Sequence, residues 1–340
     1  MEIEQLIKKL PKAEQHIHIV GSTRPETLLW LAEQGDLDKP FKTPEDAEHF
    51  FQYKNFPQFI DLYCTVVDCI TEESQFERIT YEMLQSDARC NVKYVEASFS
   101  ALDHVLRGLD YGKTLDAINR GISRARMDFG IECNVRVDLV RNYGPEKGME
   151  VLDWIESKND NIISIDLGGS EERFPAKPYK SVYQRARSIG LHLVAHAGEA
   201  AGAESIWQAV DELEVEHIGH GVTAINEPKL LEHLKKRSIA IETCPTSNVR
   251  TRVVRTLKSH PIKVFHDLGL TVTVNSDDPS MFGTDMNNEY LQLHRQLGFS
   301  ISELFKLSLN AVNSSFLSEE MKSKMRESFV KSYNRMIDEE

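Results

Sequence analysis

The sequence lacks the features of a secreted or membrane-spanning protein. It contains no run of about 18 or more apolar residues, the length needed to cross a bilayer. The segment from Met1 to Lys12 mixes glutamate, glutamine and lysine with its apolar residues, so it does not resemble a secretory signal peptide. We therefore expect a cytoplasmic protein.

Cysteine and basic residues are also scarce. The five cysteines are an odd number without any C-x-x-C pair, which argues against a zinc ribbon or a redox site and favours reduced thiols. Acidic residues outnumber basic ones by 53 to 40, and the formal net charge is −13. This charge disfavours nucleic acid and anionic membranes as partners, so we expect a small-molecule partner.

Eight short β-rich segments recur along the chain, and amphipathic segments lie between them. This alternation is typical of parallel strands joined by crossover helices, and eight such units form an α/β fold of the TIM type, a (β/α)₈ barrel. The predicted strands are Ala13 to Val20, Lys93 to Ser100, Ile131 to Val140, Ile162 to Gly169, Leu191 to Gly198, Glu216 to Gly221, Ser238 to Pro245 and Leu270 to Pro279.

The intervals between these strands are predicted to be helical. Three clear examples are Lys113 to Phe129, Ser205 to Leu213 and Pro228 to Lys236. The first interval, from Pro25 to Asn91, is long enough for several extra helices, and its apolar segment from Phe56 to Tyr63, which includes Phe59, is predicted to form a lid or wall. More helices are expected from Ile301 onward. Because no linker or repeat divides the chain, we predict one domain over residues 1–340.

Polar side chains gather where the predicted strands end, which in a (β/α)₈ barrel is the face that carries the active site. His16 and His18 are two residues apart on a strand and therefore point the same way. His196, His220 and the pair Asp277 and Asp278 end three other strands. A single histidine is usually structural, but burying this whole set unpaired would cost on the order of several kcal/mol. A bound metal ion removes that cost, and nitrogen and oxygen donors suit zinc, with iron, cobalt or manganese as alternatives.

Six motifs resemble, in their order and over nearly the whole chain, the adenosine deaminase branch of the amidohydrolase superfamily. They are Pro11 to His18, Asp166 to Gly169, His196 to Glu199, Gly219 to Gly221, Cys244 to Asn248 and Ser276 to Pro279. The resemblance implies that one metal ion is held by four residues, namely His16, His18, His196 and Asp277. It further implies that Glu199 acts on a purine ring nitrogen, that His220 assists the attacking water, and that Asp278 and the backbone of Gly169 contact the ring.

The chemistry of deamination agrees with these roles. Attack of water on a 6-aminopurine moves electrons onto the adjacent ring nitrogen, where a protonated carboxyl such as Glu199 stabilises the developing charge. Structural alternatives exist for each residue. Glu199 could be an acid at a helix N-terminus, His220 could orient a metal ligand, and Gly169 could serve a tight turn.

Two positions depart from the family pattern. Val20 stands where adenosine deaminases generally carry aspartate and adenine-specific relatives carry glutamate, so an acceptor for the ribose 5′-hydroxyl is missing and an apolar substituent is favoured there. The second departure is a basic run after strand seven, in which Arg252 could pair with a carboxylate or phosphate of an extended substrate, although a solvated helix face explains it too. We therefore hypothesise a modified adenine nucleoside, for example a 5′-deoxy, 5′-thio or aminodeoxyfutalosine-like compound.

Three functions remain open from the sequence alone. The first is metal-dependent deamination of adenosine or a modified adenosine. The second is deamination of adenine, or hydrolysis of another nitrogen heterocycle, at the same metal site, since a fold does not fix a function. The third is nucleoside binding without catalysis, which the complete set of polar strand-end residues disfavours.

Overall fold

A computed structural model of the chain describes residues 2–53 and 56–338. Its centre is a parallel sheet of eight strands, which pair in chain order from the first to the eighth. The strands are β1 Lys12–His18, β2 Val92–Phe99, β3 Glu132–Val140, β4 Ile162–Gly168, β5 His192–Ala197, β6 His217–His220, β7 Ala240–Thr243 and β8 Val272–Val274. The two ends of the sheet meet through a parallel bridge between Ile17 and Asp277, where the His18 amide donates to the Asp277 carbonyl at 2.8 Å. The sheet is therefore a nearly closed barrel.

Helices surround this barrel. Those described are α1 Ile3–Lys9, α2 Pro25–Gln34, α3 Pro44–Phe50, α4 Phe56–Cys69, α5 Gln75–Arg89, α6 Ala101–Val105, α7 Tyr111–Phe129, α8 Pro145–Ser157, α9 Lys180–Ser188, α10 Ala203–Trp207, α11 Pro228–Lys236, α12 Pro245–Arg250, α13 Ile262–Asp267, α14 Pro279–Phe282, α15 Met286–Leu297, α16 Ile301–Ser314 and α17 Glu319–Asp338. None of these helices combines the length and the apolar character needed to cross a bilayer.

Local sequence explains how these helices start and stop. The Asp110 side chain accepts a hydrogen bond from the Lys113 amide and so caps the first turn of α7. The same helix ends at Gly130, whose φ of 65° lies in the left-handed region that glycine adopts without strain. Leu115, Ile118 and other apolar residues of α7 are buried on one face, which packs the helix against its neighbours.

The predicted (β/α)₈ barrel is confirmed, and every predicted strand is present. The eighth strand was predicted too long, because beyond Val274 hydrogen bonds to side chains interrupt the backbone pairing. Isolated backbone bonds remain there, from the Asn275 amide to the Thr243 carbonyl at 3.0 Å and from the Asp277 amide to the His16 carbonyl at 3.1 Å. The Ser276 amide donates to the Glu14 carboxylate at 2.6 Å, and the Asn275 side chain accepts from the Gln15 amide at 2.9 Å.

The predicted helices are also present. The interval from Pro228 to Lys236 coincides with α11, whereas the one from Ser205 to Leu213 spans part of α10 and a π-helical segment, Gln208–Glu212. The long first interval holds α2, α3, α4 and α5, and α16 and α17 follow the barrel. The single domain over residues 1–340 stays a prediction.

The barrel interior is not wholly apolar, because Arg136 of β3 lies at its centre and is fully buried. Its guanidinium donates to both carboxylate oxygens of Glu242 on β7, at 2.7 and 2.8 Å. The same group donates to Asp166 of β4 and to Glu96 of β2, each at 3.3 Å. The guanidinium has several N–H donors and so bonds to carboxylates from three strands at once. Arg136 thereby links four strands at one level of the barrel.

Candidate active site

Four imidazoles converge just above the Arg136 level. Their rings come from the carboxyl ends of β1, β5 and β6, and ring centroids of neighbouring members lie 4.5 to 5.5 Å apart. The members are His16, His18, His196 and His220. Asp277, which follows β8, reaches the same point, and its Oδ1 lies 3.5 Å from His16 Nε2 and 3.2 Å from His18 Nε2. The structure thus brings together all the residues predicted to surround a metal ion.

Three of these imidazoles are oriented by carboxylates that lie deeper in the barrel. Each ring presents Nδ1 to a carboxylate oxygen, and the pairs are His16 with Glu242 at 3.1 Å, His18 with Asp138 at 3.2 Å and His196 with Asp166 at 3.0 Å. A carboxylate accepts the Nδ1 proton and leaves Nε2 with its lone pair directed away, which is the usual arrangement of histidines that bind metals.

The donor set fits a metal ion. Ligand atoms of His16, His18 and His196 all lie within 4.8 Å of one another, and the same holds for His16, His220 and Asp277. His16 Nε2 is buried, yet it makes no hydrogen bond to any residue that the structure describes. A cation would satisfy this orphaned nitrogen, and imidazole with carboxylate suits zinc among the divalent ions.

Glu199 and His220 face each other beside this cluster, with Glu199 Oε2 3.6 Å from His220 Nε2. Burial, assisted by the carboxylates of Asp277 and Glu171, raises the pKa of Glu199 to about 8. Burial also lowers the pKa of the His220 imidazole well below its usual range. At neutral pH the first group is therefore a protonated acid and the second a neutral ring.

The hydrogen bonds of His220 define which of its nitrogens is protonated. The Asn248 amide nitrogen lies 3.0 Å from Nδ1 of His220, and its oxygen lies 3.1 Å from Nε2 of His260. An amide nitrogen only donates, so Nδ1 of His220 is the acceptor. The proton of this neutral ring is therefore on Nε2, and His220 presents a hydrogen-bond donor to the site.

Unusual backbone conformations place several of these groups. His220 and Asp277 have φ values of 63° and 66°, in the left-handed region that residues other than glycine rarely adopt and that is often found at functional sites. Gly169 has φ of 92°, and a Cβ there would lie only 2.6 Å from Asn142 Oδ1. The glycine is thus required at this turn, which brings the backbone close to its neighbours.

Asp278 lies buried beside Asp277, and Gly21 packs directly against it. A Cβ at Gly21 would fall 1.7 Å from Asp278 Oδ1, so only glycine allows this carboxyl its position. Burial, together with the adjacent Asp277, raises the pKa of Asp278 to about 7. Within residues 2–53 and 56–338, Oδ1 of Asp278 has no hydrogen-bond partner, which leaves a buried polar atom to be satisfied by a ligand.

An aromatic cluster adjoins Asp278. Phe59 of α4 stacks on Phe282 of α14 at 5.1 Å with an interplanar angle of 24°, and Tyr53 lies 5.4 Å from Phe59. Val20 is buried in the turn that directly follows β1. Phe59 thus packs in an aromatic cluster with Tyr53 and Phe282, and its role in a wall over the substrate stays a prediction. The predicted contribution of the Phe56 side chain lies outside what the structure describes.

The basic run after β7 is exposed. Arg252, for which both a contact with an anionic substrate group and a solvated surface position were left open, is exposed and has φ of 66° just beyond α12. Arg250, the last residue of α12, lies over the Tyr53 ring, with its guanidinium carbon 5.0 Å from the ring centroid. The contact between Arg250 and the aromatic wall was not predicted.

Several supporting residues were also missed in the sequence. Ser247 donates to Asp277 Oδ2 at 2.6 Å, and Asn248 holds His220 as described above. Both belong to the motif Cys244 to Asn248, so the resemblance to the family could have identified them as residues of the site. Asp138 carried no such signal, because it lies in an ordinary strand segment and meets His18 only after the barrel closes.

Comparisons with known proteins identify the family of the chain. The family model "Adenosine deaminase" matches residues 11–332. An aminodeoxyfutalosine deaminase from Streptomyces coelicolor is 40% identical over 93% of this chain and 82% of its own length.

Two solved structures are also similar. An adenine deaminase from Arthrobacter aurescens has a TM-score of 0.91 at 30% identity and covers 95% of this chain and 98% of its own. An N6-methyl-AMP deaminase from Arabidopsis thaliana has a TM-score of 0.85 at 26% identity, with coverage of 96% and 98%. Since the family model and these relatives span nearly the whole chain, the protein belongs to the adenosine deaminase family of amidohydrolases.

Proposed function

We propose that the protein catalyses metal-dependent hydrolytic deamination of a 6-aminopurine nucleoside, giving the 6-oxo product and ammonia. The observation that carries this proposal is a carboxyl held protonated at neutral pH, Glu199, beside three imidazoles whose Nε2 atoms converge. A protonated carboxyl is the group that a purine ring nitrogen requires when water adds to the neighbouring carbon.

In this proposal one metal ion, for which zinc is the preferred candidate, is held by His16, His18, His196 and Asp277. When bound, it would supply the Lewis acidity that lets water act as a nucleophile near neutral pH. Glu242, Asp138 and Asp166 keep the three imidazoles in the tautomer that binds a cation.

The other residues act on the purine and the water. Glu199 donates its proton to the ring nitrogen next to the carbon that is attacked, and His220, which donates from Nε2, orients the water. Asp278 contacts another ring nitrogen through its unsatisfied Oδ1, and the backbone at Gly169 contacts the ring from the opposite loop. As the oxygen of the water bonds to the carbon, one of its protons goes to the amino group and the other restores the Glu199 carboxyl. The bond from the carbon to the amino nitrogen then breaks, ammonia leaves, and the 6-oxo ring keeps the proton that Glu199 gave to its nitrogen.

For the substrate we propose an adenosine modified on its 5′ side. Val20 offers no hydrogen bond to a 5′-hydroxyl, and the wall that includes Phe59 and Phe282 is suited to an apolar substituent. The similarity to an aminodeoxyfutalosine deaminase supports a modified nucleoside, whereas the similarity to an adenine deaminase keeps adenine as the second candidate.

Ammonia release from a panel of purines tests the proposed reaction and its substrate. Metal-analysed protein is incubated with adenine, adenosine, 5′-deoxyadenosine, methylthioadenosine and aminodeoxyfutalosine. We expect a 5′-modified nucleoside to give the highest kcat/KM, because substrate choice depends on matched contacts in the transition state. Absence of turnover on every purine would contradict the proposed reaction, and preference for adenine would contradict the nucleoside substrate.

Glu199→Gln is expected to lower kcat by at least about 100-fold, because glutamine cannot donate the required proton. The metal content, measured on the same sample, should stay near one ion per chain. Glu204→Gln, an exposed acid in the first turn of α10, is the matched control and should keep wild-type kcat. Loss of the metal in Glu199→Gln would show that Glu199 supports the ion instead of the purine.

Val20→Asp is expected to raise kcat/KM for adenosine by about tenfold, which corresponds to roughly 1.4 kcal/mol, because the carboxylate could accept from the 5′-hydroxyl. Activity on 5′-deoxyadenosine should fall in the same variant, since the new polar group would lack a partner. Val264→Asp, at an exposed position of α13, serves as the control. An unchanged ratio of the two activities would show that Val20 does not face the ribose.

We further propose that a rim arginine pairs with an anionic substituent of the substrate, and the Tyr53 contact favours Arg250 over Arg252. Arg250→Ala should lower kcat/KM at least about tenfold for an adenosine analogue that carries a 5′-side carboxylate, because a charge-assisted hydrogen bond contributes on the order of 1.5–3 kcal/mol. Adenosine itself should be unaffected. Arg252→Ala tests the other position, and Arg255→Ala is the control. Equal activities of all three variants on the carboxylated analogue would contradict the proposal.

A further inference from the structure

A buried carboxylate that the proposed chemistry does not use holds the loop carrying Glu199. Glu171 is only 6% exposed, and its two oxygens accept hydrogen bonds from four consecutive backbone amides of the loop after β5. The donors are Gly198 at 2.5 Å, Glu199 at 3.1 Å, Ala200 at 2.7 Å and Ala201 at 3.0 Å. Three of these amides share one oxygen, Oε2, so the whole turn is fixed around a single side chain.

Arg141 binds backbone carbonyls in the same region. Its buried guanidinium donates to four backbone carbonyls around the ends of β4 and β5, which are those of Leu167 at 2.9 Å, Gly168 at 3.2 Å, Phe174 at 3.1 Å and His196 at 2.7 Å. Arg141 thus binds carbonyls at the ends of β4 and β5 and in the loop after β4, whereas Glu171 binds the amides of the loop after β5. We call these two residues the β4–β5 clamp.

The loop that carries Glu199 begins with a tight turn that needs glycine, and the β4–β5 clamp holds this turn. Gly198 has φ of 72°, and a Cβ there would lie 2.4 Å from Ile206 Cδ1 and 2.7 Å from Thr223 Oγ1. The tight turn directs its amides inward, away from water, where each needs an acceptor. Glu171 is the acceptor for all four.

We propose that Glu171 is a positioning residue for deamination, which fixes Glu199 relative to the purine and links its loop to the loop that carries Gly169. This inference rests on the proposed function. Glu171 follows Gly169 by two residues, so one short segment would both contact the purine ring and hold the acid that protonates it. A displacement of about 1 Å in such a group can cost on the order of 100-fold in rate.

Three variants test the positioning role of Glu171. Glu171→Gln replaces one acceptor oxygen by a donor, so kcat should fall on the order of 10- to 100-fold with little change in KM. Glu171→Asp keeps both acceptor oxygens but is one methylene shorter, so kcat should also fall with little change in KM. Glu172→Gln, at the adjacent exposed position, should leave kcat and KM unchanged.

Hydrogen exchange of the protein without substrate provides a test that does not depend on activity. In the wild type the amides of residues 198–201 should be strongly protected, and in Glu171→Gln they should exchange much faster while the amides of β5 remain protected. Inactivity of the wild type on all purines, with these amides protected, would contradict the proposed function and leave the holding of the loop by Glu171 established. Unprotected amides in the wild type, or wild-type kcat in Glu171→Gln, would overturn the proposal. If that variant does not fold, Glu171→Asp and the wild-type exchange decide it.

Discussion

The contact of Arg136 with the carboxylates around it is the interaction on which the rest of the site depends. Glu242 and Asp166 lie in the barrel interior, where an unpaired carboxylate would be strongly destabilised or protonated. The guanidinium lowers the pKa of Glu242, whereas the pKa of Asp166 is lowered by His196 and then by Arg136. The two carboxylates accept the Nδ1 protons of His16 and His196, so one buried cation links the groups that orient two of the imidazoles, while His18 is oriented by Asp138.

These contacts also explain why the barrel interior contains charged residues: they orient residues of the site as well as link the strands. A buried ion pair is weak evidence for stability, since well-packed apolar residues often serve as well. Here the buried charges have a geometric role, because their hydrogen bonds fix the orientation of the imidazole rings at the carboxyl ends of the strands. The strained conformations of His220 and Asp277 occur at that rim, where surrounding contacts such as the Ser247 hydroxyl hold them.

The residues proposed for the chemistry and those proposed for substrate choice come from different parts of the fold. The groups around His16 and Glu199 belong to β-strands and to loops held by buried side chains, and the proposed chemistry depends on them. The residues proposed to bear on substrate choice, Val20, Phe59 and Arg250, come from the turn after β1, the extra helices and the exposed end of α12. Family membership therefore indicates deamination, whereas the proposed choice of purine rests on residues outside the barrel strands.

The sequence by itself determined the barrel and the members of the central cluster, because the strand pattern and the spacing of His16 and His18 are local features. The length of the eighth strand was not predictable, since side-chain hydrogen bonds such as that of the Ser276 amide to Glu14 interrupt the backbone pairing beyond Val274. Only the tertiary structure decided which carboxylate orients which imidazole, and that Glu171 holds the loop of Glu199. These contacts join residues that are distant in sequence or carry no periodic pattern, and the buried environment that makes them strong exists only once the barrel has closed.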